Sequence, residues 1–339
     1  MNMPELDVLT LGNAIVDVIA HTDDAFLVSE KLHKGSMNLI DEARAEDLYA
    51  RMGQAAIISG GSGANTAVGA ASLGARAGFI GKVREDELGR IYRHDMNATG
   101  VRFETAYAAA DGPATARSFI LVTPDGERTM NTYLGACQNL TPDDIDAATV
   151  QGAAITYLEG YLWDPPAAKE AFRKAVSIAH GAGNKVALTL SDSFCVDRYR
   201  AEFLDLARTG ALDILFANIH ELKALYETAD EDTALAALRE EGHPDRDFLA
   251  VVTRSERGSL IVSRAGTHAV DAYPPEAIVD LTGAGDLFAG GFLAGLTRGL
   301  DHIACARLGA MAAAEVISHI GARPQRSLKE MAEANGLLG

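Results

Sequence analysis

Short apolar runs separated by helix-length segments recur through most of this chain. From Lys185 onward KVALTL, DILFAN and FLAVVT alternate with helical stretches near Asp197 to Arg208 and Glu221 to Glu227. Buried strands spaced by helices in this way leave one economical arrangement, right-handed βαβ units in a parallel sheet. The front of the chain continues the pattern with AAIIS, a helix from Asn65 to Leu73, AGFIG and a helix from Asp86 to Thr99. Ala-rich helices near Asp286 to Arg298 and His302 to His319 close it. Two stretches, 16–41 and 104–134, carry strand-like alternation with the turn signals DGPA and TPDGER and little helix. The expectation is an α/β three-layer sandwich with a mainly parallel central sheet, built from 1–15, 42–103 and 135–339. Residues 16–41 and 104–134 form a small, discontinuous β-sheet lid. Ligands are expected beyond the carboxyl ends of the parallel strands.

Charge and cysteine usage narrow the partners. A net charge of −17 opposes a nucleic-acid partner, which needs clustered Lys and Arg to displace counterions. Cys137, Cys195 and Cys305 form no CxxC or Cys/His metal spacing, which suits a reduced, cytoplasmic protein. The opening MNMPELDVLTLGNAIVDV has acidic residues where a signal peptide is basic, and no apolar run reaches transmembrane length, so neither secretion nor membrane insertion is expected. Serine-hydrolase and metalloprotease readings lack GxSxG and HExxH.

The stretch richest in chemistry is Asp280-Leu-Thr-Gly-Ala-Gly-Asp286, a strand-to-helix turn that opens a long apolar helix. Free amides at a helix start face anions, and Gly283 and Gly285, without a Cβ, let backbone approach a phosphoryl group. Asp286 in the first turn can accept a proton from an attacking hydroxyl. A capped helix after a glycine turn would look the same in isolation. A second turn, Gly60-Gly61-Ser-Gly63-Ala-Asn65, offers amides and a carboxamide for hydroxyl groups, and it is not the GxGxxG of a dinucleotide site. Asn218-Ile-His-Glu221 follows an apolar strand, where Asn and Glu on one face serve equally as a helix cap.

These elements resemble the ribokinase or PfkB family of carbohydrate and nucleoside kinases. Asp-x-Thr-Gly-Ala-Gly-Asp is its second signature, and Gly60-Gly61-Ser-Gly63-Ala-Asn65 with Leu73-Gly74, Ile80-Gly81-Lys82-Val83, Asp86 and Leu88-Gly89 is its first. The resemblance spans nearly the whole chain and implies a ribokinase-like fold and transfer of the γ-phosphoryl group of ATP to a hydroxyl. It makes Asp286 the base, with Gly283, Ala284 and Gly285 as the anion hole. It assigns Asn13, Asp17, Gly60, Gly61 and Asn65 to the acceptor. Thr253, Gly258, Thr282 and Asn218 go to the nucleotide. Asn218 and Glu221 order Mg²⁺ through water, and Asp280 is a candidate for a monovalent cation, K⁺. Arg128, in Asp125-Gly-Glu-Arg128-Thr, reaches the transferred phosphate when the lid closes. Ser255 departs from the family's Thr-x-Gly-x-x-Gly nucleotide segment.

Within the family the opening Gly12-Asn13-Ala-Ile-Val-Asp17 and the terminal Ile320-Gly-Ala-Arg323-Pro324 resemble adenosine kinases, which implies the 5′-hydroxyl of adenosine as acceptor. Met37, Leu39, Phe119 and Tyr133 are expected to cover a base, with Tyr161 and Trp163 as an aromatic platform. A ribokinase- or fructokinase-type sugar kinase is the alternative, and an idle nucleoside-binding protein a further one. The chain is expected to act as a monomer or homodimer.

Overall fold

A computed structural model describes residues 4–339. The larger sheet has nine strands. In chain order they are β1 (Leu6–Leu11), β5 (Ala77–Ile80), β6 (Val101–Arg102), β9 (Ala153–Glu159), β10 (Lys185–Thr189), β11 (Ile214–Asn218), β12 (Leu249–Thr253), β13 (Ser259–Ser263) and β14 (Gly266–Val270). Across the sheet the order is β14-β13-β12-β11-β10-β9-β1-β5-β6, parallel from β12 to β6, with β13 and β14 turning back antiparallel at one edge.

Both faces of this sheet are buried, so its strands read as continuous apolar runs. Parity divides them between two cores. Leu188, Leu215 and Val252 point to α6 (Pro166–Gly181), α7 (Ser193–Arg208), α8 (Ile219–Leu225) and α9 (Glu231–Arg239). Tyr157, Phe216 and Val251 point to the opposite layer, with α10 (Ala284–Thr297), α11 (His302–Val316) and α12 (Leu328–Ala334). There the helices approach almost to backbone contact: a Cβ on Gly291 would stand 2.8 Å from Cα of Gly309. This is the three-layer α/β architecture that the alternation implies.

The smaller sheet has the order β3-β8-β7-β2-β4, built from β2 (Ile15–His21), β3 (Met37–Leu39), β4 (Ala55–Gly60), β7 (Ala116–Val122) and β8 (Arg128–Tyr133). One correction to the sequence reading falls here. The segment 42–103 is not wholly part of the larger body, because β4 pairs antiparallel with β2 from Ile15–Gly60 to Ala20–Ala55. A short apolar run such as AAIIS shows a strand but not which sheet it joins. The lid segment also contains α1 (Asp24–Ser29), capped by Asp23, while α2 (Glu42–Arg51) lays Ala45 and Leu48 against the small sheet. The remaining helices, α3 (Ser62–Ser72), α4 (Glu87–Ala98) and α5 (Ala147–Gln151), lie between the strands already named. Among the described residues no helix is long and apolar enough to cross a membrane.

Candidate active site

The first turns of α3 and α10 meet at one carboxylate. Asp286 accepts hydrogen bonds from Ser62 Oγ at 2.6 Å and from Asn65 Nδ2 at 3.0 Å. The N–H groups of Gly285 and Asp286 have no protein acceptor among the described residues. Together they leave an anion-seeking helix start beside a held carboxylate. Gly283 caps the helix at φ +81°, where a Cβ would also lie 2.7 Å from that of Ala322. Gly285 has open space where its Cβ would be. The crowding of protein around Asp286 raises its carboxyl above the usual range, which strengthens it as a proton acceptor, while Ser62 and Asn65 favour the ionised form.

The acceptor side is shaped from β1 and β2. Gly61 adopts φ +96°, and a Cβ there would strike the Asn13 carbonyl oxygen at 2.1 Å. At Gly60 a Cβ would strike Asp17 Oδ2 at 2.2 Å, so glycine makes room for that carboxylate. Desolvation pushes Asp17 up to about 7, with Arg323 and Arg128 opposing the rise and Asp286 and Asp280 adding to it. Asn65 Oδ1 is buried without a partner, leaving an acceptor free for a hydroxyl.

A residue that sequence reasoning passed over organises this region. Glu159 ends β9 and is almost fully buried. Its Oε2 accepts from Gly63 N at 2.7 Å and Asn13 N at 3.2 Å, and its Oε1 from Asn13 Nδ2 at 2.8 Å. Burial pushes it up to about 7, against those three hydrogen bonds. The signal was a lone acid closing the apolar run AAITYLE.

Arg128 starts β8 and crosses to the turn before α10. Its Nη2 lies 2.5 Å from Asp280 Oδ2, and its Nη1 donates to Thr282 Oγ1 at 2.7 Å. Asp280 also accepts from Thr282 N at 2.9 Å and Gly321 N at 2.8 Å. A monovalent cation at Asp280 is therefore corrected: three donors, one of them a guanidinium, already surround that carboxylate.

At the end of β11, Asn218 Oδ1 accepts from His220 N and Glu221 N at 2.9 Å, and the Glu221 carboxylate accepts in return from Asn218 N at 2.9 Å and Nδ2 at 2.6 Å. The reciprocal cap uses the oxygens that would otherwise ligate a metal directly. Burial raises Glu221 to about 7, and Asp192 and Asp286 add to it. No cluster of three or more His, Cys, Asp and Glu suited to a metal occurs among the described residues. Thr253 ends the neighbouring strand β12. Ser255 takes φ +52°, the left-handed geometry that a glycine adopts without strain, and Gly258 follows at φ +75°.

The expected aromatic cover is not where the sequence placed it. Register puts Asp17 on one face of the small sheet with Ser118 and Thr132, and Phe119 on the other with Val18 and Asn131. Phe119 is fully buried against Tyr49, so it is corrected from binding residue to lid core. Tyr133 lies on that same face and donates to Glu42. Trp163 is core, packed on Phe172 and Phe203. Met37 and Leu39 are exposed on the edge strand β3. Tyr161 stands beyond β9, its hydroxyl donating to Ser191 O at 3.2 Å. The apolar side chains on the Asp17 side are instead the buried Ile19 and Ile120 with the partly buried Ile58 and Met130.

Replacing Glu159 with Gln would turn an amide N–H₂ toward one of three donors. Glu159→Gln should lower the urea midpoint by an amount equivalent to about 1–3 kcal/mol. An unchanged midpoint in equilibrium unfolding would remove the organising role given to this carboxylate.

The comparisons with known proteins agree with this geometry. The family pattern of pfkB family carbohydrate kinases matches residues 15–328. The crystal structure of an adenosine kinase from Sinorhizobium meliloti is 54% identical and superposes with a TM-score of 0.90, covering 98% of this chain and 99% of that one. A probable sugar kinase from Rhizobium etli is 51% identical with a TM-score of 0.92, covering 99% of this chain and 100% of its own. A 5-dehydro-2-deoxygluconokinase from Shouchella clausii is 26% identical over 343 residues, 96% of this chain and 94% of that protein. The chain belongs to the pfkB family of carbohydrate kinases, ATP-using phosphotransferases that act on a hydroxyl group.

Proposed function

We propose that this protein phosphorylates the 5′-hydroxyl of adenosine with ATP, giving AMP and ADP. The observation that carries the reading is the carboxylate of Asp286, held by Ser62 and Asn65 beside two amides without protein acceptors. The similarity to the Sinorhizobium meliloti adenosine kinase supports the choice of nucleoside. So does the pairing of Asp17 with the apolar patch of Ile19, Ile58, Ile120 and Met130, since a carboxylate suits two vicinal hydroxyls and an apolar face suits a base.

In this reading Asp286 takes the proton of the 5′-hydroxyl as its oxygen attacks the γ-phosphorus and ADP departs. The amides of Gly285 and Asp286 meet the charge on the moving phosphoryl group. Thr253, Gly258 and Thr282 flank the nucleotide. The small sheet serves as the lid, and Arg128, now on Asp280 and Thr282, is close enough in the fold to turn to a phosphate. Asn218 and Glu221 are an all-oxygen pair whose inner positions are occupied, which fits Mg²⁺ held through its water shell. The bound ion would neutralise phosphate charge. Three buried, unpaired thiols support a reducing, cytoplasmic setting.

ATP consumption measured against adenosine, guanosine, inosine, cytidine, ribose and fructose should be greatest with adenosine, and greatest turnover on a sugar would sink the nucleoside reading. Asp286→Asn should bind adenosine normally and lose about 10²- to 10⁴-fold in turnover; a variant keeping a tenth of wild-type turnover would remove Asp286 as base.

Because Asp17 titrates near 7, its protonated fraction grows as pH falls through that value, and a neutral carboxyl accepts hydroxyl hydrogen bonds weakly. KM for adenosine should therefore rise below about pH 7. Asp17→Ala should weaken adenosine by about tenfold or more and abolish that acidic limb. An identical limb in the variant would assign it to another raised carboxylate, Glu159 or Glu221, and refute the ribose role of Asp17.

A further inference from the structure

The face of the small sheet turned away from Asp17 carries a cavity of its own. It has a volume of about 480 Å³, between β3, α2 and the loop after α1, and its wall includes Glu30, Lys31, Ile40, Arg44, Arg51 and Asn131. Asn131 lies mid-strand in β8 and is fully buried, yet neither its Oδ1 nor its Nδ2 has a partner among the described residues. A carboxamide left unpaired inside a fold is costly, and native structures rarely keep one without a use. The cationic wall is independent of it. Arg44 and Arg51 reach Glu30 at 3.0 and 3.3 Å and also share Asp47, so these two arginines and two carboxylates balance. Exposed Lys31 on the rim takes part in no ion pair among the described residues and leaves the cavity positive in a chain of net charge −17.

We propose that this cavity is a second ligand site, for a small molecule that joins an anionic group to a flat donor–acceptor edge, the chemistry of a purine nucleoside monophosphate. An Asn carboxamide matches adenine by donating to one ring-edge nitrogen and accepting from the exocyclic amine. Lys31 and the outward N–H groups of the arginine pair meet the phosphate at the rim. The volume lies within the range of small-molecule pockets. Asn131 shares its face with Phe119 and Val18, so a ligand here lies across the sheet from Asp17 and touches none of the acceptor residues. The site stands on its own residues, whether the cleft takes adenosine or a sugar.

Hydrogen exchange read by mass spectrometry on the full chain separates the two sites. AMP should slow exchange in 29–40 and 42–51, whereas adenine or inorganic phosphate alone at the same concentration should not. Lys31→Glu should raise the AMP concentration for half-protection of those segments about tenfold or more, and leave protection of 280–290 unaltered. Asn131→Leu should raise the melting temperature of the ligand-free protein, by removing two unpaired groups, and erase the AMP effect on 29–51. If that variant does not fold, Lys31→Glu alone decides. Absence of AMP protection in 29–51, equal protection by phosphate alone, or an unshifted Lys31→Glu response would overturn the proposal.

Discussion

Helices α3 and α10 run side by side in the same direction, and their first turns are joined through one carboxylate. Each start exposes N–H groups and the positive end of its peptide dipoles, so an anion is favoured at the junction. Asp286 supplies it, bound by Ser62 and Asn65 from α3. Small residues behind the junction let the helices come so close: a Cβ on Gly290 would meet Thr66 O at 2.6 Å, and one on Gly69 would meet a Leu287 methyl at 2.7 Å. The charged site and the glycine packing are thus one constraint. Larger residues behind the junction would part the helices, and the hydrogen bonds to Asp286 would lengthen with them.

The parallel sheet was legible because both its faces are buried, which leaves unbroken apolar runs such as ILFAN and LAVVT in the sequence. The glycine turns were legible because positive φ at Gly61 and Gly283 admits few residues. What escaped depended on partners distant along the chain. AAIIS reads as a strand in either sheet, and only its pairing with β2 decides. Phe119 and Asp17 both belong to lid strands, but the relative register of β2 and β7, which no local pattern records, sends them to opposite faces. Glu159 looks like any strand-end acid until Asn13 and Gly63 are brought to it from 146 and 96 residues away.

Arg128 and Asp280 show how the small sheet is held. A guanidinium with two protein oxygens joins the sheet to the turn before α10, and Gly321 N holds the same carboxylate from the other side. Breaking such a partly buried pair leaves a charge uncompensated, so the joined state is favoured until another anion offers itself to Arg128. A phosphate group at the start of α10 is such an anion, and it would draw the arginine away without leaving it unpaired.

The first connection between the two sheets is very short. β1 ends at Leu11 and β2 begins at Ile15, so the chain passes from the large sheet to the small one through Gly12, Asn13 and Ala14 alone. Glu159 pins this crossing by the backbone and side chain of Asn13, and a Cβ on Gly12 would run into its Oε2 at 2.2 Å. In mechanical terms the crossing is a fulcrum clamped from below, and β2 is the lever arm that starts at it. Asn13 stays with the frame while Asp17, four positions on, travels with the arm. A rotation of the small sheet about this crossing would open or shut the gap between those two side chains.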